Sequence, residues 1–120
     1  MTAERIYCAV DTTDLDAALA LAELLSGEVG GLKLGKEFFT AHGPDGVAKI
    51  AATGHKIFLD LKFHDIPNTV AGAVKAAAGL GVHMMTIHAS GGAAMMRAAA
   101  EAARVEDGIR PLILAVTVLT

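Results

Sequence analysis

An α/β fold with a parallel sheet is what the sequence predicts, and three observations support it. Short apolar runs alternate with longer helical patterns along the 120 residues, as in repeated strand–helix units. The apolar runs show little alternation with polar residues, as expected of strands that helices cover. The chain is 53% hydrophobic and 19% charged, so it can bury a large core.

Each strand is predicted from an apolar run bounded by polar or turn-forming residues. Asp11 ends the first run, and Pro111 stands at the first position of the last one, where a missing N–H is tolerated. The predicted strands are 6–10, 29–34, 56–61, 82–87 and 111–119. A helical pattern separates each strand from the next, which favours parallel neighbours.

The helices are predicted from capping and breaking residues as well as from apolar spacing. Thr13 or Asp14 can cap the first helix, and Gly27 stops it. Pro67 or Asn68 opens a later helix. The predicted helices run from the first cap to about 25, over 36–41, from a turn at 43–46 to about 52, over 69–80 and over 92–104.

The chain length predicts a single domain over residues 1–120. A (β/α)8 barrel takes about 200–250 residues or more, so a chain of this length would hold about half of one. An open five-stranded sheet is the other arrangement that the pattern allows.

Composition and charge argue against several classes of protein. The net charge of −3 and the pI near 5.9 disfavour a general nucleic-acid binder. No apolar run reaches the roughly 18–20 residues of a membrane span, and early charged residues leave no signal peptide. Cys8 is the only cysteine, so no internal disulfide can form. We therefore expect a protein of the reduced cytoplasm, without nucleic-acid or membrane partners.

Ionisable residues recur where the predicted strands end. Asp11 follows the first strand, Lys33 lies in the second, Asp60 and Lys62 end the third, and His88 ends the fourth. The carboxyl ends of parallel strands converge on the ligand site in α/β folds. Unpaired buried charges are costly, so such a cluster marks a functional site more often than a structural ion-pair network.

Strand periodicity predicts that Asp60 and Lys62 point to one face of the sheet, because they are two residues apart. Lys33 alternates with two leucines and can point to the same inward face, while Asp65 follows on a loop. Together these side chains would form an alternating charge array. Such an array suits a decarboxylation, because a carboxylate destabilises a substrate carboxylate held beside it, and a lysine can stabilise and then protonate a carbanion.

Residues 58–69, Phe-Leu-Asp-Leu-Lys-Phe-His-Asp-Ile-Pro-Asn-Thr, resemble the signature of the orotidine 5'-phosphate decarboxylase family. The pattern Asp-x-Lys-x-x-Asp-Ile-Pro-x-Thr within them is specific to that family. Residues 9–11, 32–35 and 118–120 resemble it too, in the right order and spacing. The resemblance covers the whole chain. It implies the (β/α)8 TIM barrel, here about strands one to five as its N-terminal half, working as a homodimer.

The resemblance also implies catalytic roles. Lys62 would donate a proton to C6 of the pyrimidine, and Asp60 would oppose the departing carboxylate. Lys33 would order the charge array and contact the ribose, and Asp65 would reach into the partner subunit's site. The implied reaction converts orotidine 5'-monophosphate to uridine 5'-monophosphate and carbon dioxide, without metal or cofactor.

Further residues would bind the nucleotide, in addition to Lys33 and Asp60. Asp11 would bind a ribose hydroxyl, and Thr120 would contact the pyrimidine. Ile66 and Thr69 would line the neighbouring subunit's site. In that family the phosphate-gripping arginine, a glutamine and a closing loop belong to later strands. We therefore expect a chain of 120 residues to be inactive or nearly so by itself.

Three other functions fit parts of the pattern. A keto-sugar-phosphate decarboxylase of the same superfamily would share Asp-x-Lys-x-x-Asp but use a divalent metal, and the continuation over residues 66–69 argues against it. A non-catalytic half-barrel would only oligomerise or bind a nucleotide. An open doubly wound nucleotide-binding domain is disfavoured, because no Gly-x-Gly-x-x-Gly follows the first strand. The five histidines do not form a metal set.

Overall fold

The computed structural model of the protein describes residues 2–120, in which strands and helices alternate. The strands are β1 (Tyr7–Ala9), β2 (Gly31–Gly35), β3 (Lys56–Phe63), β4 (Met84–His88) and β5 (Leu112–Val116). The helices are α1 (Leu15–Leu24), α2 (Lys36–Ala51), α3 (Pro67–Ala78) and α4 (Ala93–Ala102), with short 3-10 turns at Ala3–Arg5 and Ala89–Gly91. The predicted alternation of strands and helices is therefore confirmed.

The strand order in the sheet is β1-β2-β3-β4-β5. The pairs β1–β2, β2–β3 and β4–β5 are parallel. Contacts between residues group the chain into two compact units, Met1–Asp60 and Leu61–Thr120, which we call the N-terminal and C-terminal units. The predicted single domain over residues 1–120 stays a prediction.

The N-terminal unit follows from a capped helix and an apolar core. Asp14 is the N-cap of α1, and its side chain accepts a hydrogen bond from the Ala17 N–H at 3.1 Å, as predicted. Gly27, at φ +77°, takes the left-handed conformation that glycine adopts easily after a helix. The core of this unit consists of Val10, Ala18, Ala22, Leu32, Leu34, Phe38, Val47, Ile50, Ile57 and Leu59.

Helix α2 differs from the prediction of a short helix, a turn over 43–46 and a second helix. Only Gly43 leaves the helical conformation, at φ +60° and ψ −158°, and Pro44 continues directly as helix. Proline is favoured at the start of a helical segment because its missing N–H would have no partner there. Gly46 is also helical, and a Cβ at this position would overlap the Cβ of His42. The break is therefore a one-residue kink.

The C-terminal unit is built around the packing of α3 on α4. Pro67 occupies the first turn of α3 and Ile66 is its N-cap, so the helix begins two residues earlier than the predicted 69–80. Alanine fills much of both helices and allows them to approach closely. The hydrophobic core of this unit consists of Val70, Val74, Ala77, Ala78, Val82, Met85, Ile87, Met95, Ala99 and Ala103.

Strand β5 is shorter than the predicted 111–119. Its pairing with β4 ends at the partners His88 and Val116, because β4 turns into the 3-10 segment Ala89–Gly91 at that point. The last residues, including Thr120, lie beyond the strand. None of the helices in residues 2–120 combines the length and apolar character that a membrane span requires.

Candidate active site

In the N-terminal unit, Lys33 and Asp60 form an ion pair at the carboxyl end of the sheet. The register pairs Gly35 of β2 with Asp60 of β3, so Lys33 lies two residues before the position opposite Asp60. The Lys33 Nζ donates a hydrogen bond to Asp60 Oδ2 at 3.3 Å. Asp60 is only 8% exposed, and 30% of the Lys33 side chain is exposed. The pair therefore holds a largely buried carboxylate beside an ammonium group that solvent can reach.

Gly35 leaves room beside this pair. A Cβ built on Gly35 would lie 4.0 Å from Asp11 Oδ1 and 3.8 Å from the Asp60 carbonyl oxygen. The exposed Asp11, which follows β1, therefore approaches the same end of β2 and β3. The structure thus brings Asp11, Lys33 and Asp60 to one edge of the N-terminal unit.

In the C-terminal unit, Lys62 has an unusual backbone conformation. Its φ is +51°, and it is the only non-glycine residue with a positive φ in residues 2–120. Its backbone N–H donates to the Thr86 Oγ1 at 2.9 Å. The prediction that Asp60 and Lys62 share a face rested on regular strand alternation, and that rule does not apply through a left-handed residue. The shared face of Asp60 and Lys62 therefore stays a prediction.

The loop after β3 carries the residues predicted to serve a neighbouring subunit. Asp65 is exposed, and its Oδ1 accepts a hydrogen bond from the Ile66 N–H at 2.7 Å. Ile66 is 66% exposed despite its apolar side chain. Thr69, in the first turn of α3, is exposed as well. Thr120 is also exposed, beyond the end of β5.

Sequence reasoning missed Thr86 and the partner of His88. Thr86 is only 4% exposed within β4, and it contacts the backbone of Lys62. A hydroxyl in an otherwise apolar buried strand is the signal that could have identified it. The His88 ring lies against His64, with ring centroids 5.1 Å apart and planes inclined by 40°. Within residues 2–120, no group of three or more His, Cys, Asp or Glu side chains is arranged to hold a metal ion.

These groups can act on an anionic substrate. The ammonium of the partly exposed Lys33 side chain can attract an anion, while the Asp60 carboxylate repels negative charge brought close to it. Asp11 can accept hydrogen bonds from hydroxyl groups, and a lysine ammonium can donate a proton. Charged side chains at the carboxyl ends of parallel strands are typical of the catalytic end of a (β/α)8 barrel.

The fold and the site thus define a protein of the (β/α)8-barrel class with a polar site at the carboxyl ends of its strands. The family described as Orotidine 5'-phosphate decarboxylase / HUMPS matches residues 4–120, and the chain belongs to that family.

Two curated relatives illustrate the similarity. The chain is 56% identical over 119 residues to the orotidine 5'-phosphate decarboxylase of Paramagnetospirillum magneticum, a match that covers 96% of this chain and 51% of the relative. It is 55% identical over 120 residues to the enzyme of the same name from Alkalilimnicola ehrlichii, covering 100% of this chain and 51% of the relative. The chain therefore spans about half the length of the curated relatives it matches.

Solved structures agree with the predicted fold class. The orotidine 5'-phosphate decarboxylase of Lactobacillus acidophilus matches with a TM-score of 0.81 and 38% identity, over 96% of this chain and 53% of that one. An uncharacterized conserved protein of Geobacillus kaustophilus matches with a TM-score of 0.86 and 38% identity, over 95% and 54%. The prediction of an α/β fold of the (β/α)8-barrel family, with about β1 to β5 present, is confirmed.

Proposed function

We propose that this chain supplies the lysine and aspartate residues of an orotidine 5'-monophosphate decarboxylase, which acts in de novo pyrimidine synthesis. The observation that carries the proposal is the Lys33–Asp60 ion pair at the strand ends, in a chain of this family. The bond from C6 to the carboxylate breaks, its electron pair stays on C6, and carbon dioxide leaves. Lys62 then donates a proton to C6, which gives uridine 5'-monophosphate, and the lysine regains a proton from solvent.

The proposed roles follow the charges of the side chains. Asp60 faces the substrate carboxylate and repels it, and Lys33 holds Asp60 in place while contacting the ribose. Two carboxylates about 4 Å apart repel by roughly 4 kcal/mol at an effective dielectric of ~20. Enzymes lower barriers by roughly 8–23 kcal/mol, so repulsion supplies only part of the effect. Stabilisation of the carbanion by Lys62 and binding of remote parts of the nucleotide must supply the rest.

The remaining residues complete the proposed site. Asp11 binds a ribose hydroxyl, and its exposure beside Gly35 supports that role. Thr120 contacts the pyrimidine. Asp65, Ile66 and Thr69 serve the site of a second subunit in a homodimer, and their exposure on one loop and helix start is compatible with this. The proposed enzyme works in the cytoplasm without metal or cofactor and has no nucleic-acid or membrane partner.

The experiment is a decarboxylation assay that measures loss of orotidine 5'-monophosphate. Because the curated relatives are about twice as long, the assay uses this chain joined to the remaining half of the Paramagnetospirillum magneticum relative, which we call the fusion enzyme. We expect turnover, and a loss of about 10²–10⁴-fold on Lys62→Ala, as for removal of a general acid. Lys75→Ala, which changes an exposed lysine of α3, serves as the matched control and should retain activity.

Two outcomes would contradict the proposal. A folded fusion enzyme without turnover would remove the assigned activity. Turnover that a metal chelator abolishes would instead favour the metal-dependent decarboxylase of keto-sugar phosphates, and that substrate class would then be assayed directly.

A further inference from the structure

The backbone of Lys62 needs an explanation, because a lysine in the left-handed region is uncommon. Glycine is common there because it has no Cβ to crowd the following carbonyl oxygen, and asparagine and aspartate are enriched because their short polar side chains can hydrogen-bond locally. Lys62 nevertheless holds φ at +51° near the end of β3. Strained conformations of this kind persist only where the surrounding structure fixes them, and they cluster at functional sites.

The Thr86 hydroxyl contacts the backbone at this residue. The usual acceptor for an N–H in a parallel sheet is a backbone carbonyl oxygen of the neighbouring strand. Here the N–H of Lys62 donates to a side-chain oxygen, Thr86 Oγ1, at 2.9 Å. Thr86 lies between the fully buried Met85 and Ile87 and is itself only 4% exposed. Threonine is stiff about χ1, so packing of the strand also fixes the position of this oxygen.

We propose that Thr86 is a positioning residue for Lys62. Its hydroxyl accepts from the Lys62 N–H and so holds the backbone at a φ of +51°, and this left-handed φ in turn sets the direction of the lysine side chain. The catalytic part of this inference rests on the proposed function, in which Lys62 is the proton donor. The structural part, that the hydroxyl holds the Lys62 backbone, does not.

The structural part is tested by amide hydrogen exchange on the 120-residue chain. Thr86→Val removes the hydroxyl with little change of shape, and Thr86→Ser keeps it. We expect the Lys62 amide to exchange about tenfold faster in Thr86→Val, which matches the net worth of one hydrogen bond, and at nearly the wild-type rate in Thr86→Ser. Thr86→Ala takes the place of Thr86→Val if the valine variant does not fold.

Thr53→Val is the matched control. It removes another threonine hydroxyl, which donates to the Ile50 carbonyl oxygen at 2.6 Å at the end of α2. We expect it to leave exchange of the Lys62 amide unchanged. Equal protection of that amide in wild type and Thr86→Val would overturn the structural part.

The catalytic part is tested with the fusion enzyme. We expect Thr86→Val to lower kcat by about 10–100-fold with a much smaller change in KM, because misdirection of the proton donor affects the chemical step more than binding. Thr86→Ser should restore kcat. If the valine and serine variants are equally active, or equally impaired, the positioning role is wrong. If wild type shows no turnover, the proposed function fails, and amide exchange alone decides whether Thr86 holds Lys62.

Discussion

The carboxylate of Asp60 is almost completely buried, and the Lys33 ammonium lies 3.3 Å away. A buried carboxylate is expensive unless a cation or hydrogen-bond donor compensates it. Lys33 provides that compensation while keeping part of its side chain in solvent. The ion pair therefore compensates the buried carboxylate without burying Lys33 completely.

Asp60→Asn should slow the reaction and leave the affinity for its product almost unchanged. We expect kcat of the fusion enzyme to fall by up to about a thousandfold, because the repulsion of roughly 4 kcal/mol between two carboxylates is removed. Uridine 5'-monophosphate lacks the reacting carboxylate, so its affinity by calorimetry should change far less. Asp16→Asn, at an exposed position of α1, is the control. A kcat close to wild type in Asp60→Asn would show that Asp60 does not act on the substrate carboxylate.

Substitution of Lys62 should reveal its backbone strain. We expect Lys62→Gly to be more stable to urea than Lys62→Ala by about 1 kcal/mol, because glycine accepts a φ of +51° without the steric conflict that the alanine Cβ causes. Lys56 begins the same strand, and no positive φ occurs there, so Lys56→Gly should be less stable than Lys56→Ala. The same order at both positions would argue against strain at Lys62.

Some contacts between residues could be predicted from the sequence, but the backbone conformation of Lys62 and its contact with Thr86 could not. The approach of Lys33 to Asp60 follows from strand alternation and parallel pairing, both of which depend on local pattern. The left-handed Lys62 could not be predicted, since nothing in a lysine favours that conformation. A threonine such as Thr86 is common in strands, so its contact with Lys62 only becomes visible once β3 and β4 have their register.

At the scale of elements, a single glycine interrupts α2, and no separate turn segment lies between its two helical parts. Gly43 alone adopts a non-helical conformation, and Pro44 starts the next helical segment at once. The sequence Gly-Pro-Asp-Gly also fits an ordinary turn, so composition could not distinguish the two. A Cβ at Gly46 would meet Phe38 and His42, so the two segments pack closely at this glycine.

Two glycine substitutions should have opposite effects on stability. Gly43→Ala should lower the free energy of unfolding by about 1–2 kcal/mol, because φ +60° with ψ −158° is nearly restricted to glycine. Gly72→Ala, inside α3, should raise it by about 0.4–1 kcal/mol, since a Cβ there meets no atom within 4 Å. Urea titration of both variants measures the difference. A stabilised Gly43→Ala would mean that the kink is not required.

At the scale of the whole molecule, the chain corresponds to about half of its curated relatives. In enzymes generally, binding energy from remote parts of a substrate helps to assemble the catalytic site. The order of strands and helices could be predicted from local patterns. The end of β5 could not, because it depends on where β4 stops pairing.

The 120-residue chain by itself should show little or no turnover, in contrast to the fusion enzyme. The reason is that the phosphate contacts expected from later strands would contribute to kcat as well as to affinity. Parallel decarboxylation assays and calorimetry with uridine 5'-monophosphate test this expectation. Turnover of the chain equal to that of the fusion enzyme would show that residues 1–120 need no further segment for catalysis.

The left-handed lysine also bears on how this protein could be improved by directed evolution. Selection for heat resistance alone should enrich glycine at position 62, because glycine relieves the conformational conflict recorded by a φ of +51°. The same replacement deletes the amine proposed to deliver the proton. Mutant libraries designed for a more heat-resistant enzyme should therefore keep codon 62 unchanged. Stabilising substitutions should be sought at other positions, for example at the solvent-facing glycine of α3.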